Sequence, residues 1–107
     1  VWGTGIARRE FLYVDDLTEA LYLVMQSYNK KEFINIGSSC EVTMKELFNT
    51  ISDVVEYKGN IEFDTSKPDG TPRKLLSIQK ILRTGWKPKV ALQDGITGVY
   101  QIYKSNN

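Results

Sequence analysis

The sequence predicts an α/β fold with a small sheet and about four helices. Segments with strand patterns alternate with segments of helical periodicity, in the order β-α-β-α-β-loop-α-α. The chain has 107 residues, of which 41% are hydrophobic and 25% charged, and this composition suits one globular domain. Three short strands are few for an independent sheet, so we expect a partner domain in a longer protein.

The first predicted strand and helix follow a loop at residues 3–9 that contains two glycines. Residues 11–14 are bulky and β-branched, which predicts a strand. Asp15 and Asp16 can accept hydrogen bonds from the free N–H groups of a first helical turn, and they suit the positive end of the helix dipole. Apolar residues then recur at helical spacing, so we predict a helix over residues 16–28.

The second strand is predicted at residues 33–37. The next helix has the clearest start in the chain, because Thr43 stands three residues before Glu46 and the two form a capping box. Gly59 and Asn60 are typical of a helix end, so we expect the element to close there.

Alternating polarity predicts a third strand at residues 61–64, followed by a loop at 65–74. The turn signal in this loop is Pro68-Asp69-Gly70, in which proline presets φ and glycine tolerates positive φ.

Two helices complete the pattern. We expect Ser77 to cap a short helix that runs to about Arg83 and is ended by Gly85. The last helix covers about residues 92–104, and it follows Ala91, a poor cap residue.

Composition excludes several classes of function. The chain has no histidine, so it supplies no triad histidine and no imidazole metal ligand. Cys40 is the single cysteine, which excludes a disulfide framework and leaves a thiol without an evident activating base. No run approaches the roughly 18 apolar residues of a membrane span. Aromatic residues do not interleave the basic stretch, so we expect no nucleic-acid partner.

Charge is unevenly distributed beneath a net charge of +1. Residues 67–89 carry seven basic side chains and one acid, Asp69. A basic segment in a neutral chain suits a small anionic ligand better than a long polyanion, although charge alone also fits an ordinary solvated surface. Two basic groups, Arg8-Arg9 and Lys67 with Arg73-Lys74, could bracket a diphosphate if folding brings them together.

Three further features have more than one interpretation. The Asp69 carboxylate could accept paired hydrogen bonds from guanine or from sugar hydroxyls, or it could serve only its turn. Trp2 could pack on a base or a sugar, or it could be a core aromatic. Gly3-Thr4-Gly5 is not a dinucleotide fingerprint, because it lacks the third glycine and the strand-to-helix context.

Several motifs together resemble a known family. Residues 2–5 (Trp-Gly-Thr-Gly) and 9–17 (Arg-Glu-Phe-Leu-Tyr-Val-Asp-Asp-Leu) resemble the C-terminal part of extended short-chain dehydrogenase/reductase enzymes that act on nucleotide sugars. Residues 35–37 and 42–47 fit the same family. The motif at residues 63–76 is specific to a smaller group, since it resembles the epimerase-reductases that act on GDP-4-keto-6-deoxy-mannose.

The resemblance covers essentially the whole chain and implies a role for it. It implies that residues 1–107 are a C-terminal substrate-binding domain fragment whose Rossmann domain is absent. It further implies substrate contacts at Trp2, Arg9, Asp69 and Lys74. The resemblance also implies that the family's catalytic residues lie outside this chain and that NADP is bound by an N-terminal domain that precedes it.

The same resemblance implies a GDP-sugar substrate and a cytoplasmic, homodimeric full-length enzyme, with no nucleic-acid, membrane or metal site in this chain. Two alternatives stay open. One is a related epimerase or reductase acting on a GDP-linked heptose or another 4-keto sugar, and the other is a non-catalytic binding module.

Overall fold

The computed structural model describes residues 1–27, 33–71, 73–74 and 77–106. The predicted α/β class is confirmed, with a small sheet and four helices among these residues. The strands are β1 (Arg8–Glu10), β2 (Glu41–Thr43) and β3 (Arg73–Lys74), and the helices are α1 (Val14–Ser27), α2 (Met44–Val55), α3 (Gln79–Leu82) and α4 (Leu92–Ser105). None of the described helices is long and apolar enough to cross a membrane.

The sheet has the order β2-β1-β3, with β1 in the centre. β1 runs antiparallel to β2 and parallel to β3. Arg9 is therefore the middle residue of the middle strand, and its register partners are Val42 and Lys74. Nearby, Trp2 and Asp64 form an isolated parallel bridge.

The predicted strand positions are wrong. The strand expected at 11–14 lies earlier, at Arg8–Glu10, and α1 already begins at Val14. Residues 33–37 pair with no strand among the described residues, and β2 lies further along the chain. Of residues 61–64, only Asp64 pairs, in the bridge to Trp2. Strand propensity describes side chains that fit a pleated surface, but a strand also needs a neighbour to complete its hydrogen bonds.

The helices predicted at 16–28 and from Thr43 onward are confirmed. α1 begins two residues earlier than predicted, at Val14, and the predicted end at residue 28 lies outside the described residues. The Thr43 hydroxyl accepts from the N–H of Glu46 at 3.1 Å, as the capping motif predicts for the start of α2. The helix ends at Val55 rather than at 59–60, because Glu56 adopts a left-handed conformation with φ of 58°. A left-handed residue after the last turn is a common helix terminator.

The short third helix begins without the predicted cap. α3 follows Ile78 and has no side-chain capping bond, so the prediction that Ser77 caps it is wrong. α4 starts after Ala91, which likewise provides no side-chain cap, as the sequence predicts. Gly85 follows α3 with φ of 93°, a conformation that suits glycine.

The core lies where α1 meets the α3 region and Trp86. Its fully buried members are Ala20, Ile78, Ile81 and Trp86. Partly buried aliphatic side chains surround this cluster: Leu12, Leu23, Val24, Ile34 and Ile36. Ile34 and Ile36 thus contribute apolar surface to the core although their segment forms no strand.

Asp16 connects α1 to the segment before α4. Its side chain is only 4% exposed. Oδ2 accepts from the backbone N–H groups of Lys89 at 3.0 Å and Val90 at 2.9 Å. The Asp16 carbonyl also accepts from the Trp86 indole N–H at 3.2 Å. Asp16 therefore holds the 86–90 connector in place, a role beyond that of a residue in a helix's first turn.

Candidate functional site

The turn at residues 1–6 lies against the loop at residues 64–71. The backbone N–H of Gly3 donates to the carbonyl of Asp64 at 2.8 Å, and the N–H of Asp64 donates to the carbonyl of Val1 at 2.6 Å. These bonds place Trp2, near the start of the chain, beside the loop that contains the predicted Pro-Asp-Gly turn.

Asp69 makes the main side-chain connection between the two segments. Its Oδ1 accepts from the Thr4 N–H at 2.6 Å and from the Thr4 hydroxyl at 3.1 Å, and the hydroxyl also lies 2.9 Å from Oδ2. The pKa of Asp69 is lowered below its ordinary value, mainly because the Thr4 N–H donates to the carboxylate and next because the Thr4 hydroxyl does. Desolvation raises the pKa and so opposes this effect, while the N–H of Gly5 lowers it a little further. The carboxylate is therefore ionised at neutral pH.

Glycine is required where the turn meets this carboxylate. Gly3 has φ of 85°, a conformation that side chains rarely adopt. A Cβ at this position would also collide with the Asp69 side chain. Gly3 therefore permits the close approach that the Thr4 to Asp69 bonds need.

Trp2 is exposed, which contradicts the interpretation of this residue as a core aromatic. Its exposed fraction is 72%, whereas Trp86 is the core tryptophan at 2%. The Lys67 ammonium lies 5.3 Å from the centroid of the Trp2 ring, within the range of a cation–π contact. Trp2 thus presents an open aromatic surface next to a positive charge.

Arg9 lies beside the same loop. It is half-buried at the centre of the sheet, and its Nη1 donates to the carbonyl of Arg8 at 2.6 Å. Its Nη2 is 3.8 Å from the position that a Cβ would take on Gly70. Arg8 is exposed, as expected for a surface charge. Lys74 is the parallel register partner of Arg9, and its side chain lies outside the described part of the structure.

The structure therefore brings three of the four predicted site residues into one region, and strand pairing places the backbone of Lys74 next to Arg9. The region combines an exposed indole, two cationic side chains and an ionised carboxylate. Such a set can stack on a base or a sugar and pair with phosphate, and it contains no nucleophile with an activating base. Among the described residues, no cluster of Cys, Asp and Glu is arranged to hold a metal ion.

Two residues with clear roles were missed from the sequence. The sequence presents Thr4 only as the middle of a glycine pair, yet it is the partner of Asp69. Glu10 Oε2 accepts from the N–H of Ser39 at 3.1 Å and so braces a turn in which Ser39 has φ of 57°. The position of Thr4 between two glycines is the sequence feature that points to a special role for it. The contact of Glu10 is non-local, and no sequence feature points to it.

Gly3-Thr4-Gly5 does not form a phosphate site of the dinucleotide-binding type. Gly3-Thr4-Gly5 leads into β1, whereas a dinucleotide fingerprint leads into a helix whose N-terminus meets the pyrophosphate. A separate cavity of about 660 Å³ lies between α2, α4 and the segment before α1, lined by apolar side chains such as Phe11, Tyr13, Leu47, Ile96 and Tyr100. Its lining lacks charged groups, so it does not suit an anionic ligand.

Comparison with known proteins supports the resemblance. The family model described as the NAD dependent epimerase/dehydratase family matches residues 1–37. A probable GDP-L-fucose synthase 1 from Oryza sativa subsp. japonica is 50% identical over 99% of this chain and 32% of its own length. The GDP-L-fucose synthase of Sinorhizobium fredii is 46% identical over 99% of this chain and 34% of its own length. The chain thus spans about a third of the curated relatives it matches.

Solved structures agree. A GDP-6-OMe-4-keto-L-xylo-heptose reductase from C. jejuni has a TM-score of 0.90 and 37% identity, covering 100% of this chain and 34% of that one. The GDP-mannoheptose C4 reductase MlghC from Campylobacter jejuni, solved with NADP bound, has a TM-score of 0.85 and 37% identity. The match covers 97% of this chain and 34% of that chain.

In fold and sequence, the chain is similar to part of the extended short-chain dehydrogenase/reductase enzymes. It is similar in particular to GDP-L-fucose synthases, since relatives of that name match nearly the whole chain at 41% to 50% identity. The narrower motif at residues 63–76 predicts this same group.

Proposed function

We propose that this chain is the C-terminal substrate-binding part of an NADP-dependent enzyme that converts GDP-4-keto-6-deoxy-mannose to GDP-L-fucose. The observation that carries the proposal is the convergence of Trp2, Arg9 and the loop bearing Asp69, three positions that also match substrate contacts in the resemblance. The similarity of the chain to GDP-L-fucose synthases at up to 50% identity supports this substrate class.

Each side chain has a distinct role in this proposal. Arg9 pairs with the diphosphate, because a guanidinium can present two parallel N–H donors to phosphate oxygens. Trp2 packs its open ring on the nucleotide base or the sugar. Asp69 Oδ2 can accept a second hydrogen bond besides that from Thr4, and it does so from the base or from a hydroxyl. Lys74 adds a positive charge at the strand next to Arg9.

The chemistry belongs to the remainder of the enzyme. The proposed reaction epimerises the two carbons that flank the 4-keto group and then reduces the ketone. A part of the enzyme outside this chain would hold NADPH, which would supply the hydride for the reduction. The residues of this chain bind the remote nucleotide and orient the sugar, and such positional binding contributes to rate at the reacting carbons. A homodimeric assembly and a cytoplasmic location are part of the same proposal.

The test compares Arg9→Ala with Arg8→Ala in the full-length protein. The two arginines are neighbours on β1, but Arg8 is exposed and outside the proposed site, which makes it a matched control. Loss of a charge-assisted contact in Arg9→Ala should raise KM about 10-fold or more with a smaller change in kcat. Arg8→Ala should stay within about 2-fold of the wild type, a difference of about 0.4 kcal/mol. Equal KM values in the two variants would contradict the site.

A second candidate substrate is a GDP-linked 4-keto heptose. The observation that favours it is the TM-score of 0.90 to a reductase of such a heptose. Turnover of the full-length protein on the 6-deoxy-mannose and heptose substrates distinguishes the two, and the larger kcat/KM identifies the substrate. A non-catalytic module would turn over neither, and its coding sequence would lack an upstream Gly-rich βαβ unit and a Tyr-x-x-x-Lys pair.

A further inference from the structure

We propose that Thr4 is a positioning residue of the binding site. Through Asp69 it fixes the 65–71 loop against the 1–6 turn, in the arrangement that receives the nucleotide. We refer to the three contacts between Thr4 and Asp69 as the Thr4–Asp69 latch. This inference rests on the proposed function, since the latch positions residues of that same site.

The first argument is that one side chain connects both segments. The Thr4 hydroxyl donates toward the two oxygens of Asp69, at 3.1 and 2.9 Å. The same hydroxyl accepts from the N–H of Ile6 at 3.4 Å within its own turn. Because a hydroxyl both donates and accepts, Thr4 orders the turn while holding the loop. Valine of the same shape would lose both functions of the hydroxyl and keep only the backbone N–H bond to Asp69.

The second argument is that the loop has few other restraints. Among the described residues, the remaining hydrogen bonds of residues 65–71 are local and end on Asp64, namely those from the N–H groups of Ser66 and Lys67 and from the Ser66 hydroxyl. Residues 65–68 are exposed. Among the described residues beyond Asp64, the latch is therefore the main hydrogen-bonded connection between this loop and the turn, and the N–H of Gly5 adds to it.

The third argument is that ligand-binding groups lie on both sides of the latch. Trp2 and Thr4 share the turn, whereas Lys67 and Gly70 lie in the loop. Lys67 reaches the Trp2 ring and Gly70 lies beside the Arg9 guanidinium. If the latch opens, the loop loses its fixed distance from both Trp2 and Arg9. Ordering a free loop at the moment of binding lowers affinity, and a preformed loop avoids that loss.

The experiment uses the full-length protein with Thr4→Val, Thr4→Ser and Asp69→Asn. Thr71→Val is the control, since it makes the same change at an exposed position of the same loop. Hydrogen exchange measured by mass spectrometry follows peptides covering residues 1–10 and 61–71 without ligand. Calorimetry gives the Kd for GDP. Far-UV circular dichroism verifies that each variant is folded, because Trp2 lies in the mutated turn and would change the tryptophan emission by itself.

Thr4→Val should raise exchange in both peptides together, by about 5-fold, because both segments lose the same restraint. The Kd for GDP should rise by about 5- to 10-fold, and Thr4→Ser should restore both quantities to within about 2-fold of the wild type. Thr71→Val should change neither. Added to Asp69→Asn, Thr4→Val should have little further effect, because the two residues act through the same bonds.

Unchanged exchange in Thr4→Val would overturn the proposal, and so would faster exchange with an unchanged Kd for GDP. Fully additive effects of Thr4→Val and Asp69→Asn would also overturn it. If the wild-type protein fails to bind GDP, the proposed function falls, while the exchange data still decide whether the Thr4–Asp69 latch holds the loop.

Discussion

Replacing Asp16 by alanine should destabilise the protein strongly, because this carboxylate joins α1 to the 86–90 connector. Its Oδ2 receives two backbone N–H groups, at 3.0 and 2.9 Å, and the side chain is 4% exposed. Alanine removes both hydrogen bonds and leaves the N–H groups of Lys89 and Val90 without their acceptor.

The expected loss follows from these contacts. A hydrogen bond to a charged group contributes about 1.5–3 kcal/mol, and a part-buried N–H can regain some of this from water. Two such bonds predict a loss of about 2–4 kcal/mol in the free energy of unfolding for Asp16→Ala. An exposed ion pair between Lys89 and Glu19, at 2.9 Å, joins the same two segments, but exposed pairs are worth only about 0–1 kcal/mol. It cannot replace the buried contacts.

Asp15→Ala is the matched control, since Asp15 is exposed in the same first turn and contributes only about 0.3–1 kcal/mol through the helix dipole. Urea unfolding followed by Trp86 fluorescence is the assay, because the Trp86 indole donates to the Asp16 carbonyl. With a slope of about 1–3 kcal/mol per molar, Asp16→Ala should lower the midpoint by about 1 M or more. Equal midpoints for the two variants would refute the role assigned to Asp16.

Three further predictions concern backbone conformation, capping and pH. Gly5→Ala should destabilise by about 2 kcal/mol and Gly85→Ala by about 1 kcal/mol in urea unfolding, because both have positive φ but only a Cβ at Gly5 meets a neighbouring ring. Thr43→Ala should lower stability by about 1 kcal/mol through loss of its cap, whereas Ala91→Ser should raise it by about 0.5–1 kcal/mol by adding one, as thermal unfolding would measure. The pKa of Asp69 is lowered in the folded state, so its contribution is complete above the ordinary value of 3.8 and fades only as the pH falls through the lower folded value.

Each of these has a clear opposite result. Equal losses for the two glycine variants would mean that the neighbouring ring moves aside without energetic loss. A destabilised Ala91→Ser would mean that the serine hydroxyl does not reach the first turn of α4. If the protection of the amides at residues 61–71, corrected for the intrinsic exchange rate, is already lost while the pH is still well above 3.8, the lowered pKa of Asp69 would be contradicted.

Local signals predicted the helices of this chain and non-local contacts determined the strands. Thr43 and Glu46 are three residues apart, so their capping bond can be inferred from the sequence. The strand pattern at 33–37 is equally clear, yet no strand among the described residues pairs with it. Pairing depends on distant residues, as in the bridge between Trp2 and Asp64, and a single sequence gives no sign of it.

The candidate site was predictable for a different reason. Its residue types were recognisable from motif resemblance, but pattern alone left Trp2 and Asp69 each with a structural alternative. The 72% exposure of Trp2 excludes the core alternative for that residue. For Asp69 the structure adds a third role that neither interpretation contained, since the carboxylate bonds to Thr4 across 65 positions of sequence.

The motif at residues 9–17 divides into parts with separate physical tasks. Arg9 faces the proposed site, Glu10 braces the turn at Ser39, and Asp16 anchors the connector. Variants within this one motif should therefore separate into two groups. Arg9→Ala should raise KM and lower the free energy of unfolding by less than about 1 kcal/mol. Asp16→Ala should lower the free energy of unfolding strongly and leave KM nearly unchanged. KM and the free energy of unfolding, measured on both variants, test this division. If both quantities changed together in each variant, the motif would act as a single structural unit and the separate roles would be wrong.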